Sequence, residues 1–451
     1  MIFLNGIIFS IQELCWNPLT LAVFIGTGLY FTVKSGFFQF RHPLIIFRNT
    51  FGALGKKRSG DGISPFSALS CALAACMGTG NIVGVAAALA TGGAGAVLWM
   101  IISALLGEMT CFAENVLGIE YREKSRNNEW TGGSMSYIEK AFSSRKTACI
   151  FSLFCIGTSL GMGNMTQANA ISTALTETGR FSPVATGIAV ASLTGMIMLG
   201  GIKRTAAFTE KIIPVTSAVF IAVLLAVIIK NHSGILPSIK AIISGAFGFD
   251  AMAGGVAGYS ISRTVRTGIS RGVFSNEAGL GSSPIVHACA DVNDSAVQGM
   301  WGIAEVFIDT VLMCTLTALA LLSSGVAGKE LSPVQMNVTA FETVLGKHAD
   351  NFITVSLCIF AFATITGWAY YGEKAAEYIF GNRAIKPYRI TYLIFVITGC
   401  IAKLETVWAL ADIFNALMAV PNLAALIKLR KQALQPIKKL PRHTPKESEK
   451  T

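Results

Sequence analysis

Residues 67–90, SALSCALAACMGTGNIVGVAAALA, form an apolar run whose centre is Gly78-Thr79-Gly80-Asn81. The run is long enough to cross a bilayer, which takes roughly 20 residues. Each glycine costs about 1 kcal/mol relative to alanine inside a helix, so the segment predicts a helix that breaks halfway across. Lipid offers no hydrogen bonds to the freed backbone, and such breaks persist only where protein or a wet cavity satisfies them. A second interruption lies at 274–282, FSNEAGLGS. One break alone has an ordinary explanation, because Gly80 and Gly84 form a small-xxx-small pair that lets helices pack closely. Two breaks at corresponding places in two halves of a membrane chain point to the binding site of a secondary transporter.

The rest of the chain supports a membrane setting. It is 52% hydrophobic and 14% charged, where soluble domains carry about 25% charged residues. Several long apolar runs make it an all-α polytopic membrane protein. Most of the ten cysteines fall inside apolar runs and none forms a CxxC pair, so they read as small hydrophobes rather than a disulfide or metal framework. The first apolar stretch has no Lys or Arg before Lys34. A cleavable signal begins with basic residues, so this span is read as retained.

Eleven spans are expected, at 18–33, 67–90, 94–119, 147–175, 183–200, 212–229, 254–290, 297–322, 352–371, 390–401 and 406–429. The segment 254–290 carries Arg263, Arg266 and Arg271 with the second break, and it is counted because the charge pattern requires it. With the N-terminus outside and the C-terminus cytoplasmic, the inner segments hold 26 of the 36 Lys and Arg residues and the outer ones 6. Cytoplasmic loops show this asymmetry, which also explains the net charge of +11 without nucleic acid. The expected organisation is an extra N-terminal helix within 1–33, a basic loop at 34–63, a five-helix unit at 64–229 and an outer loop with a short helix at 230–253. A second five-helix unit at 254–429 and a basic tail at 430–451, read as disordered, complete it. The TGGSMSYIEKAF stretch between the second and third spans of the first unit reads as an interfacial helix. Five is odd, so the second unit is inverted relative to the first, as in an inverted repeat.

Several motifs in order carry a resemblance: GTGNIVGVA, GGAGAVLWM, GGSMSYI, GNMTQAN, RGVFSNEAGLGSSP and ITGWAYYGEKA. Over nearly the whole chain they resemble the alanine or glycine:cation symporter family. The resemblance implies a LeuT-type fold with one extra N-terminal helix. It also implies uptake of small neutral amino acids, chiefly alanine and glycine, driven by Na⁺ and in some members H⁺, across the cell membrane. No cofactor beyond the coupling ion is implied.

The chemistry agrees. A zwitterion needs both its ends compensated. The break at Thr79 and Gly80 exposes N–H groups at a positive half-helix end, which suits a carboxylate, and the LeuT-type pattern puts carboxylate contacts there. The second break offers carbonyls around Phe274 and Ser275 to an ammonium group, with Gly279 in the same turn. Asn164 and Gln167 share a helix face and either reach substrate or bond neighbouring helices. Trp368, one turn after Thr364, closes the pocket and restricts side-chain size, or else is a belt tryptophan.

Na⁺ wants oxygen ligands, and the carbonyls of Ala74 and Met77 with the Thr364 hydroxyl are the candidates, Asn81 serving a second ion or bracing the break. The family pattern has a serine just before that threonine, whereas this chain has Ala363. Thr366 lies on nearly the same face and stands as a partial substitute.

Intramembrane acids are functional by default. Glu108, Glu114, Glu277, Asp309 and Asp412 qualify, with pairing to the three arginines as the structural alternative. The arginines themselves read as gating residues or cytoplasmic-side ion pairs. An enzyme is disfavoured because the histidines are scattered and no metal-spaced or nucleophile motif occurs in a span. A channel would favour a symmetric or oligomeric pore. The live alternatives are another small zwitterion as cargo, or coupling to protons instead of sodium.

Overall fold

The computed structural model describes residues 2–54, 62–124, 129–177, 179, 181–248, 257–402 and 405–439. The first unit opens with helix Pro65–Cys76, which bends by 54° into the helical stretch Gly80–Gly92. It continues with Gly95–Glu120, with Arg145–Leu160 running through a wide turn into Thr166–Glu177, and with Pro183–Met198 and Gly201–Lys230. The second unit opens with Ala257–Asn276, interrupted before Ser283–His287. It continues with Ser295–Val306 running through another wide turn into Thr315–Ser323, and with Ala349–Phe380, Ile385–Ile401 and Glu405–Lys428. Each of the two units is led by a broken helix. Among the described residues, eight helices are long and apolar enough to cross a membrane, or nine with the bent pair. A count of eleven requires also Pro183–Met198, which is short, and the arginine-bearing broken segment, which is polar.

The expected span at 18–33 is the helix Pro18–Lys34, and a further helix, Ile2–Cys15, precedes it. Asn17 makes the junction by accepting the Thr20 amide (3.0 Å), and Pro18 occupies a first-turn position that needs no N–H. Gln12 and Trp16 then pin the leading helix to Asp412, through its carboxylate (2.6 Å) and its carbonyl (3.0 Å). A helix does form over the TGGSMSYIEKAF stretch, Ser134–Phe142, and it packs one face into the protein: Tyr137 is fully buried, and Ser134 donates to the Gly281 carbonyl (2.5 Å). The tail is helical over Arg430–Lys439 because Ala433 and Leu434 bury against the bundle; residues 440–451 lie outside the described ones. The segment 230–253 carries its expected short helix, Ile235–Phe247.

The two broken helices are clasped at one end. The Ile63 amide donates to the Cys289 carbonyl (3.1 Å) and the Asp291 amide to the Ile63 carbonyl (2.7 Å). Gly62 permits this approach, since a Cβ there would sit 2.6 Å from the Cys289 carbonyl oxygen. Arg122 gathers the carbonyls of Ala288 (3.2 Å), Ala290 (2.5 Å) and Val292 (2.7 Å) at the same end.

Candidate functional site between the broken helices

At the first break the backbone bonds that would continue the helix are diverted. The Met77 amide closes on Leu73 (2.7 Å), but the Gly78 amide turns to Cys76 (2.9 Å) and the Thr79 amide to Gln167 Oε1 (3.3 Å). The carbonyls of Ala74 and Ala75 therefore lose their helical partners. Thr364 Oγ1 fills the gap at Ala74 (2.9 Å) and also reaches its own helix at Phe360 O (3.1 Å). Beyond the break, Val83 and Gly84 both return to the Thr79 carbonyl (2.8 and 3.1 Å) in a π-helical turn, Gly80–Gly84. The preceding amides of Gly80 and Asn81 head the downstream half, where a helix has no internal acceptor for them. Thr79 Oγ1 is buried with no hydrogen-bond partner.

The glycines here do different work. A Cβ on Gly78 would lie 2.6 Å from Thr364 Oγ1 and 3.0 Å from Gln167 Oε1. A Cβ on Gly80 meets nothing nearer than Ser275, at 3.9 Å, and one on Gly84 only Thr79 O, at 4.0 Å. The small-xxx-small reading therefore fails, because no helix packs closely on Gly80 or Gly84. Gly80 instead faces the second break, where a Cβ would stand in ordinary van der Waals contact with Ser275.

That break is built the same way. The Glu277 amide closes on Val273 (2.9 Å), while the Ala278 amide goes to Asn276 Oδ1 (3.0 Å) and the Gly279 amide to Glu114 Oε2 (3.3 Å). The carbonyls of Phe274 and Ser275 are thereby released. Ser275 Oγ donates to Asp309 Oδ2 (2.7 Å), which also accepts from Thr310 Oγ1 (2.7 Å), and Asn81 Nδ2 donates to Asp309 Oδ1 (2.8 Å). Asn81 Oδ1 is buried and unpartnered. Asp309 thus joins both breaks to the π-helical turn Phe307–Cys314. Single-turn π segments are frequent at functional sites.

The remaining candidates separate. Gln167 reaches the first break, but the Asn164 amide nitrogen is spent on the Tyr392 carbonyl (2.8 Å) of a neighbouring helix. Trp368 is fully buried rather than at a membrane boundary, and its Nε1 donates to Glu277 Oε1 (3.0 Å). Gly279, at φ +93°, turns outward between Phe24 and Leu423, its carbonyl accepting from Asn422 (2.9 Å). Thr366 bonds the Ala363 carbonyl of its own helix (2.7 Å), so its hydroxyl does not replace the serine.

Among the described residues no buried acid pairs with Arg263, Arg266 or Arg271. Neutral donors serve Glu114, Glu277, Asp309 and Asp412 instead. Of the five acids, Asp412 feels an arginine, through the electrostatic interaction of Arg271 with its carboxylate. The three arginines sit in the half of the segment before the break, and Arg266 and Arg271 line a cavity of about 430 Å³ with Gln12, Glu13, Asp412 and Phe274. The sequence signal for Asp309 was its place in an apolar run; its role as a junction between the breaks depends on partners far apart in sequence.

The fold is shared with solved transporters. The chain matches MhsT in complex with L-phenylalanine with a TM-score of 0.59 over 84% of this chain and 98% of that one, at 13% identity. It matches a manganese transporter of Eremococcus coleocola with a TM-score of 0.54 over 80% and 79%, at 14% identity. These likenesses show the fold, which is LeuT-type. Residues 1–451 match the model of the sodium:alanine symporter family, and the chain belongs to that family. Relatives include an uncharacterized transporter of Haemophilus influenzae, 39% identical over 96% of each chain. Another is the sodium/alanine symporter AgcS of Methanococcus maripaludis, 36% identical over 93% of each.

Proposed function

We propose that this protein is a Na⁺-coupled symporter that imports small neutral amino acids, alanine and glycine foremost, across the cell membrane by alternating access. In this reading the N-terminus is outside and the C-terminus cytoplasmic. The observation that carries the reading is the two-sided character of the first break. On one side, the oxygens of Ala74, Phe360 and Thr364 converge around a single hydroxyl proton, an excess of lone pairs that suits a hard cation. With the Met77 carbonyl, these residues are the proposed Na⁺ set.

On the other side, the unpartnered Thr79 hydroxyl and the leading amides at Gly80 and Asn81 suit a carboxylate. The released carbonyls of Phe274 and Ser275, across from the first break in this reading, suit the ammonium group. Gln167 stands beside the carboxylate contacts, Asn164 joins the set through its unpartnered Oδ1, and Trp368 bounds the side-chain end. Gly279 shapes the second break from behind. The relative named a sodium/alanine symporter supports the same cargo and ion.

A second reading, proton coupling, is favoured by one observation: Asp309 is a fully buried carboxylate held by neutral donors beside the vacant Asn81 Oδ1. A relative named as a putative sodium/proton-dependent alanine carrier, 31% identical, accords with it. Equilibrium binding separates the two. Purified protein should bind radiolabelled alanine more tightly in Na⁺ than in K⁺ at constant pH, and alanine should raise Na⁺ affinity by the same factor, as linkage demands. Alanine binding that follows pH and ignores Na⁺ would replace the first reading with the second.

A further inference from the structure

Trp368 is held by unusual means. Its indole packs on the bare backbone of Gly163, where a Cβ would fall 2.2 Å from the indole Cγ, and it meets Tyr371 edge-on with ring centroids 5.3 Å apart. Its one polar handle, Nε1, donates to Glu277 Oε1 across to the second break (3.0 Å). Glu277 Oε2 accepts from Ser282 Oγ (2.5 Å). The Glu277 backbone is left-handed, at φ 57°, a region that residues with a Cβ enter at a cost. Glycines occupy the left-handed positions at 279 and 281 of the same turn. A glutamate kept where glycine would be relaxed calls for a task that its side chain performs.

We propose that Glu277 is a positioning residue for substrate selectivity: its carboxylate locks the Trp368 indole in the orientation that closes the pocket to side chains larger than a methyl group. This rests on the reading above in which Trp368 bounds the pocket. A tryptophan has two side-chain torsions and one donor, so removing the acceptor frees the ring to pivot while its apolar packing remains. The link also joins the second break to helix Ala349–Phe380, which ties the size limit to the seating of that break.

Two readouts test this in the full-length protein. The first is ¹⁹F NMR of protein labelled with 5-fluorotryptophan, in which the resonance absent from Trp368→Phe belongs to Trp368. Glu277→Ala should shift or broaden that resonance. Glu277→Met, which keeps the side-chain length without an acceptor, should do the same, and Glu277→Gln, whose amide oxygen still accepts, should leave it nearly in place. The second readout is competition of unlabelled glycine, alanine, valine and leucine against radiolabelled alanine uptake into proteoliposomes. In Glu277→Ala or Glu277→Met the inhibition by leucine relative to glycine should rise about tenfold. In Glu277→Gln the ratio should stay within about twofold of the parent protein. In a Trp368→Phe background, Glu277→Ala should add nothing.

An unmoved Trp368 resonance in both Glu277→Ala and Glu277→Met overturns the proposal. So does a glutamine variant that behaves like alanine, or a selectivity change that persists without the tryptophan. If the resonance moves as expected while the parent protein takes up no alanine, the cargo assignment has failed and the positioning role stands.

Discussion

Gly78 and Gly80 stand two residues apart in the first break for opposite reasons, and alanine at each should have opposite consequences. Neither has a positive φ, so alanine can adopt both backbones. At Gly80 the new methyl meets no atom nearer than 3.9 Å. Stability should hold or rise by up to about 1 kcal/mol, the usual gain from replacing glycine in a helix. The same methyl enters the space assigned to the substrate carboxylate. Overfilling a fitted space costs roughly 1–3 kcal/mol, so the apparent affinity for alanine should fall by about five- to 150-fold. At Gly78 the methyl would lie 2.6 Å from Thr364 Oγ1 and 3.0 Å from Gln167 Oε1. Here the cost of roughly 1–3 kcal/mol falls on the fold itself, with the Thr364 oxygen pushed off the Ala74 carbonyl. Melting curves in detergent and alanine uptake at a fixed inward Na⁺ gradient read both effects. A Gly80→Ala protein that transports like its parent would refute the carboxylate cradle. One as destabilised as Gly78→Ala would refute the ordinary contact at Gly80.

Three further substitutions probe the ion sites. Thr364→Ala removes the hydroxyl at the Ala74 carbonyl and should raise the Na⁺ concentration for half-maximal uptake at least tenfold, on the order of 1.4 kcal/mol; a Na⁺ titration of uptake checks it. Ala363→Ser puts a hydroxyl back beside Thr364 at a fully buried position and should lower that concentration several-fold in the same titration. Asp309→Asn keeps the shape but removes the charge shared by Asn81, Ser275 and Thr310. It should cut uptake by about tenfold or more and abolish any dependence of uptake on external pH.

Both breaks were legible because glycine is costly in a helix and because lipid tolerates no free backbone, so GTGN and FSNEAGLG marked themselves. The inverted pairing followed from charge placement and an odd helix count. What was hidden is the direction in which each residue of a break points. The sequence pairs Gly80 with Gly84, yet the tight contact belongs to Gly78, because Thr364 approaches from a helix far along the chain. Gly279 looks like a pocket residue by its place in the motif, but Glu114 and Asn422 draw its backbone to the opposite side. Asn164 and Gln167 share a face in a regular helix, but Asn164 falls in the π-helical turn Gly161–Met165 and gives its amide nitrogen to the Tyr392 carbonyl, while Gln167 accepts from the Thr79 amide at the break. The first span was legible from its start at Pro18, whereas helix Ile2–Cys15 before it was not read, because what holds it is a pair of contacts from Gln12 and Trp16 to Asp412, 400 and 396 residues away.

The account stands on the first break serving a cation on one face and an amino acid on the other. Its most direct test is uptake of radiolabelled alanine into proteoliposomes, with an inward gradient of Na⁺, of K⁺ or of protons imposed in turn. Accumulation under the Na⁺ gradient alone, abolished in Thr364→Ala, is the predicted result. Accumulation under the proton gradient with no response to Na⁺ would contradict it and move the coupling ion from Thr364 to Asp309.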